Sequence, residues 1–110
     1  MKVKELVEKL GLKPFTGNAG MENEIAGGYT SDLLSDVMGH SREGQVWITL
    51  QTHRNIVGIA SLRDLSAVIL VKGFTPDGET IELAETEGVA LLGTSMQAFE
   101  ISGKLYELLK

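Results

Sequence analysis

The chain contains no cysteine. Disulfides, iron-sulfur clusters and thiolate zinc sites are therefore excluded, and stability has to come from packing, as suits a reducing cytosol. Histidine is almost as scarce: only His40 and His53 are present, so no metal site and no cofactor is expected. There is no long hydrophobic run. Behind Met1-Lys2-Val3-Lys4-Glu5 the pattern is amphipathic, with acidic residues close to the lysines. Neither an export signal nor contact with a membrane is expected, and the protein is read as cytoplasmic.

Basic charge is also in short supply. Ten Lys and Arg face fifteen Asp and Glu, for a net charge of -5, and the basic residues are scattered along the chain. Nucleic acid is excluded as a partner on that ground. A small anion is not, because a local set of amides and one or two cations outweighs a modest global charge. Apolar residues make up 43% of the chain and charged residues 23%, an ordinary globular balance. The 110 residues suit one core, since domains usually hold roughly 100 to 150 residues. One domain over residues 1–110 is expected, with no repeat, linker or low-complexity tract.

Val3, Leu6, Val7 and Leu10 share one helical face, and Gly11 is placed to end that helix in the left-handed conformation. Residues 12–17 contain Pro14 and predict an edge strand, residues 17–20 a turn, and residues 24–29 a second short strand. Ser31-Asp32 predicts the cap of a helix that buries Leu33, Leu34, Val37 and Met38 and stops at Gly39. Residues 46–50, 67–71 and 89–92 are mostly continuous apolar runs of the kind buried on both faces of a parallel sheet. Each precedes a helix-start signal: Thr52, then Thr75-Pro76-Asp77, then Thr94 with Gln97 at capping-box spacing. The last helix is expected to carry Phe99, Ile101, Leu105, Tyr106 and Leu109. This order predicts an α/β fold, a three-layer sandwich around a mainly parallel sheet of four to five strands.

Ligands of open α/β sheets collect beyond the carboxyl ends of the strands. Three segments are expected to meet there, contributing Thr52, His53 and Arg54, then Lys72 and Gly73, then Thr94 and Ser95. Hydroxyl caps, two cations, a histidine and glycine turns form an inventory suited to a phosphate or carboxylate. Capping and tight turns account for the same threonines and glycines without any ligand. Arg54 reads either as a surface residue paired with a neighbour or as a cation set against a helix dipole to meet an anion. Gly27-Gly28 reads as a ligand cradle or as a close backbone approach, and Trp47 as core or dimer surface.

Catalytic machinery is absent from the pattern. No Gly-x-x-x-x-Gly-Lys-Ser/Thr phosphate loop and no Gly-x-Gly-x-x-Gly follows a strand. Ser31, Ser35, Ser41, Ser61, Ser66, Ser95 and Ser102 lack a nucleophile-elbow context, and no thiol is available. A non-enzyme is expected.

Residues 3–12, continuing through Gly17 to Glu24-Ile25-Ala26-Gly27-Gly28-Tyr29, resemble the start of the N-terminal domain of HPr kinase/phosphorylases. From there to the C-terminus the chain resembles a DRTGG domain, a regulatory module found beside CBS domains in some pyrophosphatases and within some phosphotransacetylases. Where that family has Gly-Asp-Arg after one strand, this chain has Thr52-His53-Arg54, without the aspartate. Where it has Thr-Gly-Gly, this chain has Val71-Lys72-Gly73 and then Phe74. Thr75-Pro76-Asp77 and Ile81-Glu82-Leu83-Ala84 are also similar to the family's pattern. The resemblance implies a domain that pairs with its copy and helps adenine nucleotides regulate a separate catalytic unit. HPr kinase activity is not expected without a phosphate loop. The expected function is a regulatory module, a homodimer, that binds an adenine nucleotide or small anion at Thr52, His53, Arg54, Lys72, Gly73, Thr94 and Ser95. The alternative is a ligand-free adaptor that docks a partner enzyme, with Trp47, Phe74, Met96 and Tyr106 as contacts.

Overall fold

Successive side chains of a strand point to opposite faces, so a continuous apolar run serves a sheet that is covered on both sides. The computed structural model describes residues 1–110 and shows this arrangement. In chain order the elements are α1 (Val3–Leu10), β1 (Lys13–Pro14), β2 (Gly27–Thr30), α2 (Leu34–His40), β3 (Gln45–Thr49), α3 (Asn55–Leu62), β4 (Ala67–Leu70), α4 (Gly78–Glu87), β5 (Leu91–Gly93) and α5 (Ala98–Leu109). Val46, Ile48, Ala67, Ile69 and Leu92 pack in one apolar layer with Val3 and Leu6 of α1 and Ile101 and Leu105 of α5. Trp47, Val68, Leu70 and Leu91 point the other way and join Val37 of α2, Ile56 and Val57 of α3 and Ala84 of α4.

The sheet order is β1-β5-β4-β3-β2. Strands β2 to β5 are parallel, and β1 adds antiparallel to β5 with Lys13 opposite Gly93. Because the parallel strands follow one another in chain order, crossovers of one hand place α2, α3 and α4 on a single face. Helices α1 and α5 close the other. Pro14 sits on the edge strand, where its missing amide costs no ladder bond. Gly11, at φ 63°, ends α1 as the periodicity requires.

Trp47 is core: it is fully buried, and its indole nitrogen donates to the Ser31 carbonyl at 2.8 Å. Of the Gly27-Gly28 pair, Gly28 is explained by packing, while a Cβ at Gly27 would make only ordinary contact with Gln45. A Cβ at Gly28 would lie 2.8 Å from Leu105 Cδ2, so α5 rests directly on β2.

The helix ends differ from expectation. Helix α2 starts at Leu34, includes Gly39, and buries Val37, while Leu33 is exposed and Met38 lies at the surface. Ser31 Oγ accepts the Leu33 amide instead of capping the helix. Asp32 reaches across the sheet end, where it accepts Thr49 Oγ1 at 2.9 Å and the Leu50 amide at 2.7 Å. The last helix, α5, carries the expected residues, with Ile101 and Leu105 buried and Phe99 and Tyr106 facing outward. A single sheet face cannot cover a whole helix circumference. No helix is long and apolar enough to cross a membrane.

Candidate functional site

Strands β3, β4 and β5 end side by side, with Thr49 opposite Leu70 and Leu70 opposite Gly93. The turns that follow them form one rim. The chain leaving β4 goes to α4 on one face, and the chain leaving β5 goes to α5 on the other. Their divergence makes the crevice between β4 and β5 the switch point at which an open α/β sheet takes its ligands.

On this side of the rim, Val71-Lys72-Gly73-Phe74 forms a tight turn in which the Phe74 amide donates to the Val71 carbonyl at 3.1 Å. Lys72 and Gly73 have φ of 59° and 73°, the pair of positive angles that a type I′ turn demands. Gly73 adopts this freely, whereas the lysine side chain meets a cost of about 1–2 kcal/mol there. The Lys72 amide donates to the Met96 carbonyl and the Gly73 amide to the Thr94 carbonyl, both at 2.9 Å. These amides stitch the two turns together and are not free to bind an anion. Thr94 Oγ1 accepts the Met96 amide at 3.2 Å, and Gln97 is the N-cap of α5 without a side-chain bond. The expected threonine capping box is thus absent: the threonine closes its own turn one step before the helix begins.

A hollow of about 410 Å³ opens against these turns, bounded by residues 73–75 and 93–96 and by residues from the start of the chain. The latter include Lys13 and Phe15. A Cβ at Gly93 would stand 2.6 Å from the Phe15 ring, so the glycine admits the ring to this place. Lys13 Nζ lies 5.4 Å from the centroid of the same ring, within cation-π range. Phe74 is 44% exposed. No carboxylate lines the hollow. Lys13 and Phe15 escape sequence reasoning because they lie on and just after the antiparallel strand, far along the chain from the strand-helix turns they face.

The other side of the rim is occupied differently. Helix α3 begins at Asn55 after Arg54, and Thr52 makes no cap bond. His53 does that work: Nδ1 accepts the Asn55 amide at 3.1 Å and its carbonyl the Ile56 amide at 3.0 Å. The Val57 amide goes to the Arg54 carbonyl at 3.0 Å. The first turn of α3 therefore offers an anion little. Arg54 lies 3.5 Å from Glu79, both side chains being exposed. Asp77, not Thr75, caps α4 by accepting the Thr80 amide at 2.8 Å, with Pro76 just outside the helix. That bond, aided by the positive charge of Arg54 nearby, holds the Asp77 carboxyl below its ordinary range.

The seven residues expected to meet thus fall into two groups. Gly73, Thr94 and Ser95 line the hollow, with Lys72 in the same turn as Gly73. Thr52, His53 and Arg54 lie outside it on the α3–α4 side, where protein partners occupy the histidine and the arginine. His40, on the helix leading into the amino end of β3, pairs with Asp36 at 3.3 Å. No three His, Asp or Glu side chains are placed to hold a metal ion.

A larger hollow, about 680 Å³, opens at the amino ends of the strands. Glu24, Glu43, Asp64 and Glu87 border it and no Lys or Arg does, so its field repels an anion. Position and charge both favour the smaller hollow at the carboxyl rim.

No protein-family model and no curated protein matches the sequence. Among solved structures, the chain is similar to the CBS and DRTGG domains of the regulatory region of Clostridium perfringens pyrophosphatase, complexed with activator, diadenosine tetraphosphate. The TM-score is 0.75 at 18% identity over 94% of this chain. The chain spans 45% of that structure's length. The likeness establishes the fold, a five-stranded, mostly parallel α/β/α sandwich consistent with a DRTGG-like domain.

Proposed function

We propose that this chain is a non-catalytic regulatory module that binds an adenine nucleotide or related anion at the carboxyl rim, on the β4–β5 side, around Lys72, Gly73, Thr94 and Ser95. The observation that carries this reading is the carboxylate-free hollow at the sheet's switch point, in a chain whose net charge is -5. The regulatory region of similar fold, complexed with an adenine dinucleotide activator, supports it. In this reading the module works in the cytoplasm, pairs with its own copy and acts on a separate catalytic unit. Thermal unfolding with AMP, ADP, ATP and diadenosine tetraphosphate tests the binding. Ligand at 100 times its Kd adds about 2.7 kcal/mol, or a Tm rise of about 10 °C or more for a chain of this size. An unchanged Tm with all four at millimolar concentration sinks the reading.

A second reading, an adaptor that docks a partner enzyme, has its own observation. The outer edge of β2 pairs with no strand, and a hollow of about 530 Å³ lies between it and α5, beside the outward-facing Tyr106. An unpaired edge beside an exposed aromatic is a template for another chain. Light scattering across a concentration series shows whether a second copy of the chain takes this edge or leaves it to a different partner. A dimer that Tyr106→Lys dissociates places self-pairing on this edge. A monomer at every concentration removes pairing from the proposal.

A further inference from the structure

The carboxyl-rim hollow has a composition that narrows its ligand. Residues 73–75 and 93–96 bring hydroxyls from Thr75, Thr94 and Ser95, and Met96 adds a polarisable thioether. Phe15 and Phe74 supply aromatic wall, and Phe74 is exposed on the turn between β4 and α4. Lys13 is the cation of the lining, held at the Phe15 ring, and Lys72 stands on the adjoining turn. Aromatic side chains stack on any planar base, and a cation in a carboxylate-free hollow selects negative charge. Ligand hollows run from roughly 300 to 1,000 Å³, so about 410 Å³ suits one nucleotide unit better than two.

We propose that this hollow binds a planar heteroaromatic ring carrying a single phosphate-like group, with the ring against Phe74 and the anion at Lys13. The proposal rests on the rim being a nucleotide or anion site, and it adds the antiparallel edge strand and the exposed Phe74 ring to the strand-helix turns as sources of specificity. Phe74 and Lys13 are both exposed, so they can be replaced without opening the core.

The test is calorimetric titration of the whole chain with AMP, adenosine and inorganic phosphate, alongside Phe74→Ala and Lys13→Gln, with circular dichroism to confirm that each variant is folded. AMP is expected to bind more tightly than either fragment. Loss of stacking weakens AMP by about fivefold or more, and loss of the charge by about tenfold. Amide shifts on adding AMP should map to residues 73–75 and 93–96 and spare residues 53–57. AMP binding that survives both substitutions overturns the proposal and leaves the nucleotide-binding reading intact, whereas shifts at residues 53–57 instead overturn the proposal and move the nucleotide to the α3 side of the rim. Wild-type protein that binds neither AMP nor phosphate, nor the larger adenine nucleotides, overturns both.

Discussion

The two sides of the carboxyl rim both set an apolar strand before a threonine-bearing turn and a helix, yet they differ in what remains free. Beyond β3, the histidine caps α3, and the arginine faces Glu79. Beyond β4 and β5, two turns satisfy one another's backbone and leave a hollow lined by aromatic rings, hydroxyls and a lysine. A polar residue becomes available to a ligand when its neighbours do not already satisfy it. Motif spacing alone cannot report that.

The contrast is most sharply broken at Gly93. Gly93→Ala drives a methyl group into the Phe15 ring. Overpacking of this kind should lower stability by about 2 kcal/mol in urea unfolding and weaken any ligand of the hollow at the same time. An alanine variant of unchanged stability would show that Phe15 is not held there.

Lys72 tests the strained turn with the opposite sign. Lys72→Gly should raise stability by up to about 1 kcal/mol, because glycine occupies a φ of 59° without the Cβ clash. A loss measured by the same urea unfolding would mean that the lysine side chain contributes more than its backbone costs.

On the opposite side, His53→Ala removes the acceptor for the Asn55 amide. A loss of about 0.5–1 kcal/mol is expected, the scale of a lost helix cap, with no effect on nucleotide affinity. A large fall in affinity would return the site to the α3 side.

The smallest effect is electrostatic. The Asp77 carboxyl is depressed in the folded state, chiefly by the Thr80 amide, so its contribution is complete above the ordinary carboxylate range and is lost as pH falls through the folded value. Asp36, lowered first by its hydrogen bond with Ser31 and next by Tyr29, adds to the same acid loss. Asp77→Asn should therefore flatten, without abolishing, the decline of Tm below the ordinary carboxylate range. An unchanged acid slope would remove Asp77 from this account.

Much of the fold was legible beforehand. The three apolar runs are the three central strands, Gly11 ends the first helix, and Pro14 marks an edge strand, because burial and backbone geometry leave direct traces in residue type. The caps were less legible. Thr52, Thr75 and Thr94 each have a suitable hydroxyl, and the termini belong instead to His53, Asp77 and Gln97. Phe99 and Tyr106 continue an apolar helix pattern yet face outward.

Composition and periodicity, by themselves, determined one core, a mainly parallel sheet and a rim bearing polar turns, since each depends on residues close together in the chain. Tertiary structure alone decided which turn residues were already satisfied and that Lys13 and Phe15, about eighty residues from Thr94, complete the hollow. Hydrogen-bond partners and side-chain walls are set by which segments meet in space, and that depends on the path of the whole chain.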